Sequence, residues 1–418
     1  MMSNEVSPKN FNFKGWYIVL LSAFMGCTIS AAFPQFSMTV TELSLKTGLS
    51  QEFLLTSDTI KSASIVVAML LSGVAYKRIG AHKTFIFALF ATVLPQFLLP
   101  FVEMPLLIIL LKILQGLSSI IFPVFLVIIL NWIEERQAGI STAIFNGIFY
   151  GGGGIGGTFA GVIIAKQGWV ASYFVLGIVQ IIVGLIWLFT VKEQPQGALK
   201  ETDAIEKIEN EPKINFLTMP KVWLLAIAFF ATTWTVQAIT VDMPLLCEFV
   251  GYDALSSGKL LMAVTIGMIT ACIVSGKISD LAATKMQNKS VARLSIFAIG
   301  CVLIIASILL LILADLTNFY LFFFVIFMLS FGASWGLGTF YSILPEMFDK
   351  NTLPLVTGFT GGVGDIGMPL APLVVGVAFG SRGLWNVGFG SCAVIAAISV
   401  LAILPLLKSL QNKEIKVK

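Results

Sequence analysis

Charge is what these 418 residues have least of. Asp, Glu, Lys and Arg make up 11% of the chain, against roughly 25% in an ordinary soluble domain. Hydrophobic residues make up 57%, and no soluble fold of this length could hide that much apolar surface. Histidine is nearly missing: His82 stands alone, which excludes a multi-histidine metal site. The five cysteines (Cys27, Cys247, Cys272, Cys301 and Cys392) are odd in number and sit mostly in apolar runs. They read as small packing residues, not as disulfides or metal ligands. No phosphate-binding loop is present, because Gly258-Lys259 and Gly276-Lys277 are followed by Leu and Ile where that motif needs Ser or Thr. No polar stretch is large enough to form an ATP-hydrolysing domain, and no cofactor is implied. The net charge of +4 is too small to indicate nucleic-acid binding. A paired set of catalytic groups at one depth is also missing, which argues against an intramembrane enzyme. A sensor would need a soluble output domain, and none is visible.

What is there is long apolar runs, each able to cross a hydrocarbon core of ~30 Å as a helix. Hydropathy predicts twelve spans. The first six are Trp16–Val40, Ser57–Tyr76, Thr84–Val102, Leu106–Trp132, Gly139–Ala165 and Ser172–Val191. The second six are Val222–Leu246, Gly258–Gly276, Leu294–Ala314, Phe319–Leu344, Val356–Phe379 and Leu384–Leu407. The polar stretch Met1–Asn12 is not followed by a short apolar segment with a cleavage site, so the first run is expected to stay in the membrane.

One long polar interval divides the chain. Residues 192–221 carry 11 of the 48 charges. They read as a linker between an N-terminal bundle (1–191) and a C-terminal bundle (222–418). The linker is a solvated tether, or it forms a short charged helix near Ala204–Glu211. With both termini placed inside, 20 Lys and Arg residues fall on inside segments and 4 on outside ones, with Lys61 and Lys112 within spans. Positive charge marks the cytoplasmic side, so the split supports an even number of spans and cytoplasmic termini in the plasma membrane. Trp16, Tyr17, Trp132, Trp169, Trp223 and Trp385 fall near span ends, as interfacial aromatics should.

Local motifs narrow the class. The connection after span 2 reads Gly73-Val-Ala-Tyr-Lys-Arg78-Ile-Gly80-Ala-His-Lys83. The equivalent connection after span 8 reads Gly276-Lys-Ile-Ser-Asp280, with Ala283 beyond it. Span 4 carries Lys112-Ile-Leu-Gln115-Gly116, and Trp132-Ile-Glu-Glu135-Arg136 precedes Gly139. Together with Gly168-Trp169 these resemble the signatures of the major facilitator superfamily. In that family the first loop runs glycine, acid, base, glycine, base. Here Lys77 stands in the acid's place in the first copy, while the second copy keeps Asp280 but has Ala283 for the later glycine. Two damaged copies one half apart point to an internal repeat. The resemblance implies an all-α membrane protein of twelve transmembrane helices in two pseudo-symmetric six-helix bundles. It also implies that the loop acid helps to hold the bundles together, a role that Lys77 removes from the first copy. Lys112 replaces the family's usual Arg, which keeps the charge but not the bidentate fork.

Span 5 is crowded with glycines, Gly154 among them, and span 11 carries Gly358, Gly361, Gly362, Gly364 and Gly367, then Pro369 and Pro372. Small residues let helices approach closely in lipid, and Gly and Pro also let them bend. Close packing and a sliding contact are both open readings.

Ionisable groups inside a membrane are expensive and therefore functional candidates. Asp365 lies about ten residues into span 11, ~15 Å deep at ~1.5 Å per residue. It either takes up and releases a proton or ties spans together. Lys112 pairs with a carboxylate or attracts an anionic substrate; the other readings are a lysine that snorkels outward along its stem and the family's structural basic residue. Lys61 follows Asp58 at i+3 spacing near the start of span 2, which predicts an interfacial ion pair. Asp242 and Glu42 fall at outer span ends, where contact with water is expected. Gln35, Asn146, Gln237 and Tyr341 are further cavity-lining candidates, with Trp234 and Trp335 well inside spans. The expected function is secondary transport by alternating access, moving a small carboxylate-bearing organic anion with protons. Proton-antiport efflux of drugs or metabolites is the alternative. The partners are then a small solute, protons and the lipid bilayer, with a monomer as the default and no nucleic acid.

Overall fold

In lipid a chain must satisfy its own backbone polar groups, so an apolar chain of this kind has to be helical. A computed structural model describes residues 12–193, 215–252, 254–382 and 384–415, and every regular element among them is helical. The linker, including the helix expected near 204–211, lies almost wholly outside the described residues.

The longer elements of the N-terminal part are α1 (Phe13–Met38), α2 (Val40–Thr47), α3 (Gln51–Leu98), α4 (Pro105–Leu117), α5 (Ile121–Trp132), α6 (Ala138–Gln167) and α7 (Trp169–Thr190). After the linker come α8 (Pro220–Val250), α9 (Ala254–Lys285), α10 (Lys289–Leu313) and α11 (Phe319–Met347). The last three are α12 (Leu353–Asp365), α13 (Gly367–Arg382) and α14 (Trp385–Ile415). Among the described residues, 10 helical stretches are long and apolar enough to cross a membrane.

Three departures from the hydropathy reading matter for the site. First, α3 begins at Gln51, capped by the Ser50 hydroxyl, which accepts from the Phe53 N–H at 3.2 Å. It therefore starts well before the Ser57 boundary and takes Asp58 and Lys61 deeper. Second, Gly73 and Arg78 are not in a loop. The helix runs through both, and the turn is confined to Gly80, whose φ of 77° is open to glycine at no steric cost. Third, α8 continues past the Leu246 boundary to Val250, which leaves Asp242 about two turns inside its end.

The glycines sort by what they face. A Cβ on Gly152 or Gly156 would sit 2.6 Å from the Cys27 carbonyl oxygen or 2.2 Å from the Ala31 Cβ. That face of α6 is therefore welded to α1. The adjacent face, Gly147 and Gly151, meets Cys272 and Ile269 of α9 at an ordinary 3.4 Å. The surroundings of Gly154 lie outside the described residues. A second tight seam joins α3 to α12. A Cβ on Gly73 would lie 2.4 Å from the Pro354 carbonyl oxygen, and one on Gly358 would lie 2.4 Å from the Ser72 hydroxyl. Gly73→Val must push these two backbones apart. The expected result is a loss of about 1–3 kcal/mol from overpacking, read as a lower midpoint of thermal unfolding in detergent. An unchanged midpoint would contradict the seam.

Candidate functional site

Two buried polar clusters stand out. The first gathers around Asp58. Asp58 and Lys61 sit one turn apart on α3, and Lys112 reaches them from α4 across a sequence separation of 54. Lys61 Nζ donates to both Asp58 oxygens, at 2.7 and 2.8 Å. Lys112 Nζ donates to Asp58 Oδ1 at 2.8 Å and reaches Gln115 Oε1 at 3.5 Å. Two aromatic rings of α1 cover the ammonium groups: Phe33 lies 4.2 Å from Lys61 Nζ and Phe36 lies 3.0 Å from Lys112 Nζ. The ring faces are electron-rich and hold cations. Side-chain exposure is 4% for Lys61 and 0% for Lys112, but 25% for Asp58. Each group is about seven to ten residues from the start of its helix, ~10–15 Å along the axis. The ion pair that the i+3 spacing predicts does form, but in a buried site and not at the interface. Lys112 does not snorkel outward; it ends on a carboxylate. Nothing in the linear chain marks Asp58 as the shared carboxylate, because its second lysine lies on another helix.

Two lysines share one carboxylate. Buried charges cost free energy unless they are paired, so the second lysine either meets a further anion or sheds its proton.

The second cluster surrounds Asp365, the last residue of α12. It is 2% exposed, and its Oδ1 has no hydrogen-bond partner. The half-buried Tyr150 of α6 and the buried Tyr341 of α11 are near enough that a charge on Asp365 would bear on their phenols. The Tyr341 hydroxyl is likewise without a hydrogen-bond partner. Its ring packs edge-on against Phe122 of α5 and Phe229 of α8, with centroids 5.6 and 5.4 Å apart. Helices from both sides of the linker therefore converge here. Asn146 of α6 donates to the Leu337 carbonyl of α11 at 2.6 Å, leaving its Oδ1 unpartnered.

The remaining candidates are scattered. Gln35 donates to the Ser172 hydroxyl at 3.2 Å and ties α1 to α7. Gln237 is half-buried on α8. The expectation that Asp242 touches water is overturned: it is 3% exposed, with its Oδ2 buried and unpartnered. The reason is packing: a Cβ on Gly376 of α13 would lie 3.7 Å from Asp242 Oδ1, so α13 covers this carboxylate. Glu42, on the short α2, is half-buried, and its Oε2 is also enclosed.

A third polar assembly closes one end of the molecule. Asp280 of α9 accepts from the N–H groups of Gly139 and Ile140, both at 2.8 Å. It thereby caps the N-terminus of α6, where an anion is favoured. Arg293 of α10 donates to Asp280 Oδ1 at 2.8 Å, to Glu346 Oε1 of α11 at 3.1 Å and to the Glu135 carbonyl at 3.0 Å. Lys289 bridges to the Glu135 carboxylate. The hydrogen bond from Lys289 holds the Glu135 carboxyl below its usual range. The symmetry-related position has no such acid. Lys77 stands there, and Arg78 is exposed and makes no ion pair among the described residues. The start of α12 is instead served from its own chain segment, as Asp349 accepts from the Thr352 N–H at 2.8 Å and from its hydroxyl at 3.1 Å. Burial works against the Asp349 charge, yet these donors hold its carboxyl below the usual value. The two copies of the motif have thus diverged from a pair of braces to one brace and one local cap.

These features are those of a helical membrane carrier. A family model of the Major Facilitator Superfamily matches residues 15–304, and the chain belongs to that family. It is a transporter-family protein and not an enzyme. The chain is similar to the hexuronate transporter of Bacillus subtilis, at 24% identity over 65% of this chain and 66% of that one. It is also similar to vesicular glutamate transporter 1 of Xenopus laevis, at 25% identity over 53% of this chain and 42% of the other. The membrane sensor protein UhpC of Escherichia coli is 24% identical over 72% of this chain and 70% of its own length. The chain therefore spans about two thirds or less of the first two relatives. The crystal structure of the human organic anion transporter MFSD10 superposes with a TM-score of 0.71 at 13% identity, covering 94% of this chain and 99% of that one. At that identity the likeness is one of fold.

Proposed function

We propose that this protein is a secondary active transporter that moves a small carboxylate-bearing organic anion together with protons by alternating access. The observation that carries the reading is the buried cluster of two lysines around a single carboxylate. It is a positively charged seat inside a membrane domain, and an anion of charge −1 would neutralise it. The names of the relatives point the same way, with a hexuronate, glutamate or organic anion in three of the four.

The layout behind the proposal is two six-helix bundles, residues 1–191 and 222–418, joined by the linker at 192–221. α3 counts as two spans broken at Gly80, α4 with α5 as one, and α12 with α13 as one, which gives twelve. Both termini and the linker face the cytoplasm in this reading, and the braced end at Asp280 and Arg293 is the cytoplasmic end. The carrier works as a monomer in this reading.

Asp365 is the proposed proton carrier. It sits where the two bundles meet, beside the unpartnered Tyr341 hydroxyl. Asp365→Asn keeps the shape and removes the titration. The expected result is loss of proton-driven uptake with exchange of the anion retained, measured in proteoliposomes with and without an imposed pH gradient. Proton-driven uptake that survives in this variant would remove Asp365 from the coupling.

A second reading has one observation in its favour. The rings of Phe122 and Phe229 packed on Tyr341 would also suit a hydrophobic cation expelled in exchange for protons. A thermal-shift panel on the purified protein separates the two readings, because a ligand that binds only the folded form raises its apparent stability. Stabilisation by glucuronate, glutamate or succinate supports the anion carrier. Stabilisation by tetraphenylphosphonium alone overturns it in favour of efflux.

A further inference from the structure

At the braced end of the molecule, the first half of α1 leaves an apolar stripe open. Phe13, Trp16, Tyr17, Leu20, Leu21 and Phe24 line a groove of about 450 Å³. They recur at the three- and four-residue spacing that stacks side chains on one face of a helix. Phe13, Leu20 and Phe24 are 75%, 52% and 50% exposed. On a membrane protein such a face meets hydrocarbon chains.

The mouth of this groove has a basic rim, built from three parts of the chain. Lys14 lies in the first turn of α1, with its Nζ 5.0 Å from the centre of the Trp132 ring. The Trp132 indole N–H donates to the Lys192 carbonyl at 2.7 Å, which holds the segment after α7 beside the start of α1. Tyr17, from the groove itself, donates through its hydroxyl to the Thr190 hydroxyl at 3.0 Å. His82 Nε2 lies 3.0 Å from the Val191 carbonyl oxygen, which brings the neighbouring Lys83 of α3 to the same rim. Lys14, Lys83 and Lys192 are exposed, and none of them joins an ion pair among the described residues. The acids of this end are engaged elsewhere: Glu134 with Arg136, Glu135 with Lys289, and Asp280 and Glu346 with Arg293. Glu193 follows Lys192 in the chain, so three lysines stand against one carboxylate on the rim.

We propose that this rim and groove bind one anionic phospholipid from the leaflet at the braced end, with its phosphate on Lys14 and Lys192 and one acyl chain along the stripe from Phe13 to Phe24. Neither half selects a ligand by itself. Exposed lysines hold a free anion weakly, and an apolar groove accepts a chain of any lipid. Joined, they favour a lipid whose headgroup carries negative charge, because basic residues near an anionic headgroup each add to its binding. Trp16 and Tyr17 sit between the two halves, at the level where amphipathic rings meet headgroups. The bound lipid lies against both α1 and α7, the first and last spans of the N-terminal bundle, and ties them at one end. The inference concerns the lipid-facing surface and holds whichever solute is carried.

The full-length protein in phosphatidylcholine vesicles provides the test. Phosphatidylglycerol or phosphatidylcholine with brominated acyl chains is added in increasing proportion, and bromine quenches an indole only at close range. The share of Trp16 is the difference between the wild type and Trp16→Phe. Brominated phosphatidylglycerol is expected to half-quench Trp16 at a mole fraction at least ~10-fold lower than brominated phosphatidylcholine. Lys14→Ala/Lys192→Ala is expected to abolish that preference, and Lys408→Ala, on α14, to leave it intact. High salt should erode it, because the rim is exposed. If Trp16→Phe does not fold, thermal unfolding in detergent gives the same comparison: phosphatidylglycerol should raise the midpoint of the wild type but not of Lys14→Ala/Lys192→Ala. Equal quenching by the two lipids, no quenching of Trp16 by either, or a preference that survives Lys14→Ala/Lys192→Ala would overturn the proposal. Glycerol 3-phosphate, which carries the phosphate without a chain, is expected to leave the preference unchanged. Displacement of the lipid by an equal concentration of it would show a site for a free anion and overturn the proposal as well.

Discussion

Arg293→Met is expected to weaken the folded protein by about 3–5 kcal/mol, the usual cost of leaving the partners of a buried ion pair behind. The arginine side chain is 0% exposed, and its carboxylate partners Asp280 and Glu346 are 10% and 9% exposed. Removing it strands both carboxylates in a space that has little water. Its bond to the Glu135 carbonyl is lost as well, so the connection before α6 loosens from α10. The effect should be larger than that of Lys289→Ala. That residue meets Glu135 in a pair with side-chain exposures of 46% and 57%, where the attraction is screened and worth little. Thermal unfolding in detergent, with and without the compensating Glu346→Gln, checks this. Equal destabilisation by Arg293→Met and Lys289→Ala would show that burial does not set the hierarchy at this end. The same variant should also raise the reactivity of a cysteine placed at the braced end, since Asp280 would then hold α6 without a counter-charge.

Lys112→Gln is expected to reduce anion affinity by about 10- to 150-fold, corresponding to the ~1.5–3 kcal/mol of a charge-assisted hydrogen bond. The residue is fully buried, so its charge is not diluted by solvent. Gln retains some polarity but offers no charge to a carboxylate. Lys112→Arg tests geometry separately from charge. The guanidinium is planar and wider, and the Phe36 ring at 3.0 Å leaves it little room, so partial activity is expected at best. Substrate-dependent thermal shifts and counterflow in proteoliposomes give affinity and flux from the same preparations. A Lys112→Gln protein that binds and moves anions normally would displace the seat from this cluster.

Hydropathy alone made most of this fold legible, because every span had to be apolar and helical. The order of the helices, the position of the polar interval and the conspicuous glycines were all visible in the linear chain. What escaped was anything fixed by a partner far along the sequence. Asp58 looked like a residue at a span boundary, since Ser57 is where strong hydropathy begins. The helix in fact starts at Gln51, and the second lysine arrives from α4. Asp242 looked wet because it lies near the outer end of its span, but α13 packs over it. Helix ends are set by caps and packing as well as by hydrophobicity, so a few polar residues at the margin were assigned to water. Arg293 was counted only as a positive charge on an inside segment. Its four acceptors lie on α9 (Ser279 and Asp280), on α11 and in the connection before α6, and no local pattern announces such a hub. The damaged first copy of the loop motif was legible as a substitution at Lys77. Its replacement by a cap from Asp349 was not, because that residue is more than 250 positions away.

The proposed division of labour rests on two separate buried clusters. No described contact links Asp365 to Lys61 or Lys112. Its neighbours are phenols and phenyl rings, whereas the lysine cluster is roofed by Phe33 and Phe36. A carrier with a charged seat at one place and a titratable group at another can bind an anion and a proton without the two neutralising each other.

The most direct test of the central claim is the movement of protons caused by an anion gradient in proteoliposomes without an imposed voltage. Glucuronate, glutamate and succinate are added outside in turn, and the external pH is followed. The account predicts that at least one of these carboxylates drives proton entry, seen as external alkalinisation, and that Lys112→Gln abolishes it. Proton movement that none of the carboxylates elicits, but that tetraphenylphosphonium does, would contradict it.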